Sequence, residues 1–116
     1  MTAKLKLPGK RSKYRNVPVV VDSIRFHSKK EAKRWGELKL MERDGTVTSL
    51  QRQVRYPLCV NNYNVGVYVA DFTYPELDQK GNAIRAVVED TKGFKTPDYK
   101  IKRALMKALH GIVILE

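Results

Sequence analysis

"VGVYVADFTYPELDQKGNAIRAVVEDTKG", residues 65–93, decides how this chain folds. Its first ten residues, 65–74, are rich in Val, Tyr and Phe, the composition of a strand. Residues 75–82 then gather Pro, Asp, Gly and Asn, which reverse a chain. "AIRAVVEDTK", residues 83–92, returns as a second strand, so the stretch reads as an antiparallel hairpin. Alternation places Ile84, Ala86, Val88, Asp90 and Lys92 on one face. Arg85, Val87, Glu89 and Thr91 take the other, more polar face. Asp90 and Lys92 therefore continue an apolar face, as Asp71 does after Val67 and Val69. With the turn at Lys80–Gly81, Asp71 stands directly opposite Asp90, their Cβ atoms roughly 5 Å apart. Like charges so placed repel. A divalent cation is the simplest compensator, and Lys92 adds to it. Pro75 needs an edge or a bulge and is the residue able to shift this register.

Outward from this hairpin the chain supplies helices and further strands. Residues 1–13 are basic, contain Pro8–Gly9 and show no period, which predicts a flexible arm ahead of a single domain over 14–116. "NVPVVVDSIRFHS" (16–28) reads as a β-hairpin turning at Asp22–Ser23, with Pro18 keeping its first strand at an edge. Ser28 opens a helix, Glu31 completes a capping box with the Ser28 backbone, and Asp44–Gly45 ends it. Residues 47–60 are extended up to the turn-rich "NNYN". Thr96-Pro97-Asp98 starts a second helix whose apolar face holds Ile101, Ala104, Leu105 and Ala108. Gly111 stops it, and "IVIL" (112–115) makes a last buried strand. The fold class is α/β: after the opening hairpin come helix, three strands, helix and strand, a mixed sheet flanked by helices.

Composition narrows the function. Of 116 residues 42% are hydrophobic, which suits a globular domain. No apolar run reaches membrane-spanning length and no signal-peptide core is present, so a cytoplasmic protein without a membrane partner is expected. Cys59, the single cysteine, lies in an apolar strand and reads as a buried, inert thiol. Lys and Arg total 23 against 12 acids, a net charge of +11. Residues 1–15 carry Lys4, Lys6, Lys10, Arg11, Lys13 and Arg15 with no acid among them. A second basic run extends from Lys92 to Lys107 through Lys95, Lys100, Lys102 and Arg103. Such an excess points to a nucleic-acid partner.

Glu31 has two readings. It fits the capping box, yet on a helical wheel Trp35 lies about 40° and Leu38 about −20° from it. Its carboxylate thus sits on the centre of the apolar stripe, which favours a metal site. Oxygen ligands without a convergent Cys/His set suit Mg²⁺ or Mn²⁺. His27 and His110 are isolated and read as a strand-end residue and a helix-end cation. No Ser-His-Asp pattern, P-loop or dinucleotide fingerprint occurs.

Asp71 followed by Asp90-Thr91-Lys92 on adjacent strands, after a helix carrying Glu31, resembles the PD-(D/E)XK nuclease superfamily. "KYRNVPVVVDSIRFHSKKEAKRWGELKLMERDG", "LQRQVRYPL", "YVADFTY" and "VVEDTKG…TPDYKIKRALM" are similar to small phage and prophage nucleases. That group is related to phage endonuclease I, junction resolvases and the transposon-end nuclease TnsA. The resemblance implies a restriction-endonuclease-like core and a Mg²⁺-dependent DNA endonuclease, with Glu31, Asp71, Asp90 and Lys92 catalytic. Glu31, Asp71, Asp90 and the Thr91 carbonyl would hold the metal, and Lys92 would position the attacking water. Lys13, Arg15, Arg52, Gln53, Arg55, Lys95, Lys100 and Arg103 are the expected DNA contacts. Ala70 stands where the motif's proline would be. Branched DNA such as a Holliday junction is the leading substrate. A nickase, a TnsA-like end-cutting subunit and a non-catalytic DNA binder are the alternatives. Two opposed cuts in a junction require two chains, so a homodimer joined through the opening hairpin is expected.

Overall fold

A computed structural model describes residues 18–116; the basic arm over 1–13 and Arg15 lie outside the described residues, and Lys13 with them. The chain divides into two compact units, one running to Trp35 and one from Gly36 onward.

In the first unit, β1 (Val19–Val21) pairs antiparallel with β2 (Ile24–Phe26). Asp22 and Ser23 join them with φ of 54° and 63°, the left-handed pair of a type I′ hairpin turn. Pro18 precedes β1 and is exposed, so its missing N–H costs the ladder nothing. Trp35 Nε1 donates to Asp22 Oδ2 at 2.9 Å, and its ring lies 5.9 Å from that of Phe26. These contacts fix the turn to the first part of α1 (Lys29–Arg43). At the start of α1 the Glu31 N–H donates to Ser28 Oγ at 3.2 Å, half of the expected capping box. The other half is displaced by one residue: Glu31 Oε1 accepts from the His27 N–H at 3.4 Å.

In the second unit α1 ends at Arg43, and Gly45 leaves it with φ 89°. Three antiparallel strands follow, β3 (Gln51–Val60), β4 (Tyr63–Leu77) and β5 (Ala83–Glu89), with β4 central. Asn61 and Asn62, at φ 50° and 67°, make the β3–β4 turn, for which Asn is well suited. The β4–β5 register runs Phe72↔Glu89, Tyr74↔Val87 and Pro75↔Ala86, the register expected from a turn at Lys80–Gly81. Pro75 does not shift it, although it sits in the central strand. Its carbonyl accepts from the Thr48 N–H at 3.4 Å, beyond the last β3 pair at Gln51↔Thr73, so no β3 ladder bond is lost there. The irregularity comes afterwards, between Glu76 and Leu77.

The second helix, α2 (Pro97–His110), is capped as its sequence predicts. Thr96 Oγ1 accepts from the Tyr99 N–H at 3.1 Å, and Gly111 closes the helix at φ 68°. The core joins Leu58, Tyr68, Ala70 and Val88 of the sheet to Tyr99, Met106 and Ile114. Its helix face differs from expectation. Ile101 is 60% exposed, Ala104 and Ala108 are exposed and Leu105 is half-buried, whereas Tyr99 and Met106 are buried. Two turns separate Tyr99 from Met106, so the two share one stripe, and that stripe packs with Leu58, Tyr68, Ala70 and Val88 of the sheet. The expected final strand is reduced to one parallel bridge, Glu89↔Leu115. The Ile112 N–H bonds back to Met106 O at 3.2 Å, so too few residues remain for a ladder. Only Ile114 of that stretch is buried. Cys59 is exposed rather than buried, because Leu58 beside it takes the inward position at the irregular step Leu58/Cys59. Among the described residues no helix is long and apolar enough to cross a membrane.

The helix orientation has a direct check. Met106→Ala should cost about 2–5 kcal/mol, whereas Ile101→Ala should stay within about 0.5 kcal/mol, as read from urea denaturation midpoints.

Candidate functional site

Strand pairing builds the site. The last β4–β5 pair is Phe72↔Glu89, so the next step along both strands brings Asp71 and Asp90 together. Beyond Glu89 the chain is still held. Asp90 N–H donates to Leu115 O at 2.9 Å and Leu115 N–H to Val88 O at 2.8 Å. Asp90 is therefore fixed by backbone bonds although it lies past the strand. Asp71 is half-buried and Asp90 only 3% exposed.

Each carboxylate has its own brace. Asp71 Oδ2 accepts from Thr91 N–H at 2.9 Å and from Thr91 Oγ1 at 2.7 Å. Asp90 Oδ2 accepts from the Tyr68 hydroxyl at 2.7 Å. Burial pushes the Asp90 carboxyl up to about 6; the Tyr68 hydrogen bond opposes this, the Asp71 charge adds to it, and Lys92 opposes it. The Tyr68 hydroxyl is itself pushed up by burial and by Asp90, so it stays protonated as a donor. Lys92 is exposed, with its ammonium 5.3 Å from the Tyr99 ring centroid.

Gln53 occupies the position across from Asp71. Arg52↔Phe72 and Val54↔Ala70 pair on either side, but the Gln53 step is skipped and Gln53 adopts φ 52°. A left-handed non-glycine residue inside a strand is a local strain, and here it falls at the ladder step of Asp71.

Glu89 differs from expectation. It is 4% exposed and accepts from the Tyr74 hydroxyl at 2.6 Å, so its face is not a polar one. Burial along β5 is graded lengthwise: residues 83–86 are exposed and 87–90 buried. Arg85 made one face look polar only because it lies at the exposed end. Glu89 and Asp90 nonetheless serve different tyrosines, as alternation requires. In the first unit Glu31 is 3% exposed and shares the buried stripe of α1 with Trp35, as the helical wheel predicts.

The expected phosphate contacts are scattered. Arg55 and Lys100 are exposed and Arg52 is half-buried. Lys95 and Arg103 are engaged with Glu116, at 3.8 Å and 2.9 Å. Sequence reasoning missed Tyr68 and the Thr91 side chain. The available clue was a tyrosine in an apolar strand, whose hydroxyl must find a partner when buried.

Among the described residues no group of three or more His, Cys, Asp or Glu side chains forms a metal cage. The second unit supplies a pair of aspartates whose oxygens are braced; burial foremost, with the Asp71 charge added to it, raises the Asp90 carboxyl. This donor chemistry fits a hard divalent cation such as Mg²⁺ or Mn²⁺.

The sign of the pH dependence follows. Folded Asp90 keeps a proton up to about 6, whereas an ordinary aspartate loses it near 3.8. Stability from this group is highest below that window and falls as pH rises through it. In chelator the melting temperature should decline across this window more in the wild type than in Asp90→Asn. Above the window Mn²⁺ should raise the melting temperature of the wild type and not of the variant.

No curated protein and no solved structure matches the chain. Residues 11–113 match the family described as "Protein of unknown function (DUF1064)", and over that span the chain belongs to the DUF1064 family.

Proposed function

We propose that this protein is a metal-dependent DNA endonuclease of the PD-(D/E)XK type, selective for branched DNA such as Holliday junctions. The observation that carries the reading is the in-register pair of braced aspartates, Asp71 and Asp90, followed directly by Thr91 and Lys92. The order of elements supports it. After the hairpin come α1, β3, β4, β5 and α2, and residue 115 lies parallel beside β5. A restriction-endonuclease-like core has this order.

Asp71 and Asp90 would hold the cation, with the Thr91 carbonyl as a further donor. The chemistry such an ion would supply is charge neutralisation at the scissile phosphate and a lowered pKa of bound water. Thr91 aims Asp71 and the Tyr68 hydroxyl aims Asp90, so both carboxylates are oriented before substrate arrives. The Lys92 ammonium orients the attacking water and offsets charge that develops on the phosphate. In-line displacement leaves a 5′-phosphate and a 3′-hydroxyl. A net charge of +11 supplies the attraction for the DNA backbone. Arg52, Gln53, Arg55 and Lys100 are the side chains proposed to follow it, with Lys13 and Arg15 of the basic arm.

A junction needs two opposed cuts, so the working unit is a homodimer. The opening hairpin, where Val20 is 66% exposed, is the proposed contact. A phage or prophage nuclease would act in the host cytoplasm. A nickase or an end-cutting subunit is the nearest alternative. A non-catalytic DNA binder is less consistent with acids braced beside a basic run, because uncompensated carboxylates repel phosphates.

Labelled junction, flap, duplex and single-stranded DNAs incubated with Mg²⁺ test the activity. Asp71→Asn and Asp90→Asn should lower cleavage by about 100-fold or more while DNA affinity is kept or increased. Full cleavage by either variant would overturn the assignment. Glu31→Gln preserves both cap hydrogen bonds, so its melting temperature should stay close to wild type while cleavage drops. Parallel loss of both would leave Glu31 a purely structural role. Light scattering with and without junction DNA reads the assembly.

A further inference from the structure

Three donors from α2 and the loop before it converge on one carboxylate. The Tyr99 hydroxyl donates to Glu116 Oε2 at 2.5 Å, and Arg103 Nη1 to the same oxygen at 2.9 Å. Lys95 Nζ lies 3.8 Å from Oε1. Tyr99 and Arg103 are one helical turn apart, and the Arg103 guanidinium sits 5.7 Å from the Tyr99 ring centroid. The Tyr99 hydroxyl, foremost, holds the Glu116 carboxyl below its usual range; burial opposes it and Arg103 assists. A hydroxyl, a guanidinium and an ammonium around an anion with two oxygens make the donor set of a phosphate site.

Its location suits a DNA strand. The rings of Tyr99 and Tyr68 lie 6.4 Å apart, and Tyr68 is the residue bonded to Asp90. Tyr68, Tyr99, Lys92, Thr96 and Lys102, with one acid, Asp98, line a cavity of about 280 Å³ between the sheet and α2. Two neighbouring aromatic rings, Tyr68 and Tyr99, thus lie between Asp90 and the anion held by α2.

We propose that Tyr99, Arg103 and Lys95 form a binding site for a backbone phosphodiester of DNA, and that the Glu116 carboxylate occupies it until DNA displaces it. This deepens the nuclease reading and rests on it. Glu116 keeps the two cations paired in the free protein, and the exchange of carboxylate for phosphate makes binding at α2 competitive. The bland alternative is an anchor that ties residue 116 to the helix.

Equilibrium binding of junction DNA in chelator, where nothing is cut, separates the two. Glu116→Gln retains an oxygen for the Tyr99 hydroxyl, and a thermal melt verifies that the fold is kept. The variant should bind about threefold to tenfold more tightly, with a salt slope steeper by about 0.9 for one added phosphate contact. Glu76→Gln is the charge-matched control, since Glu76 pairs with Arg85 at 2.7 Å on an exposed part of the sheet. It should change affinity far less. Arg103→Ala should have a small effect alone and should remove the gain when combined with Glu116→Gln, a non-additivity that charge alone does not produce. Equal effects of the two Gln variants, weaker binding by Glu116→Gln, or a gain that survives in the double variant would overturn the phosphate site. If binding is unchanged while cleavage is intact, only this site falls. Absence of DNA binding in every protein overturns the nuclease reading as well.

Discussion

Asp71 and Asp90 occupy the ladder step just beyond Phe72 and Glu89, where two like charges face each other with Asp90 almost fully buried. Repulsion at such a position destabilises a sheet unless each carboxylate is held and the pair is compensated. Much of the second unit is arranged around that constraint. Thr91 turns its N–H and hydroxyl onto Asp71, Tyr68 reaches across the core to Asp90, and Leu115 clamps the backbone on either side of Glu89. Without these bonds β5 would fray before Asp90, and the pair would separate into solvent.

Tyrosines recur in this arrangement. Tyr68, Tyr74 and Tyr99 donate their hydroxyls to Asp90, Glu89 and Glu116 at 2.7, 2.6 and 2.5 Å. A phenol satisfies a buried carboxylate without cancelling its charge. For Asp90 this keeps the negative charge available to a cation. For Glu116 the hydroxyl works beside Arg103 and Lys95, so an acid is held where an excess of positive charge faces the solvent. In a chain with 23 basic and 12 acidic residues, the choice of a neutral partner for an acid has functional weight.

The hairpin register, both turns of paired left-handed residues and both caps of α2 were legible, because each depends on local chemistry. Asp22–Ser23 turns because short polar residues tolerate positive φ. Thr96, Pro97 and Gly111 bound α2 because each meets a backbone requirement of a helix terminus. The opposition of Asp71 and Asp90 was legible for the same reason, since a turn of known position sets every pair above it. The inward stripe of α2 was not. Ile101, Ala104, Leu105 and Ala108 form a valid apolar face in isolation, but the sheet offered its contacts to Tyr99 and Met106.

What the sequence determined by itself was the elements up to α2, the β4–β5 register and with it the opposition of Asp71 and Asp90, all fixed by residue-level preferences over short spans. Burial was decided by the tertiary structure. Glu89 looked solvated beside Arg85, yet the inner end of β5 is covered while its outer end is exposed. Cys59 looked buried in an apolar run, yet it lies where the β3–β4 hairpin nears its turn. The braces on Asp71 and Asp90, and the three donors on Glu116, join residues 13 to 22 positions apart. Such pairings follow no local period, because they exist only once the strands and α2 are packed.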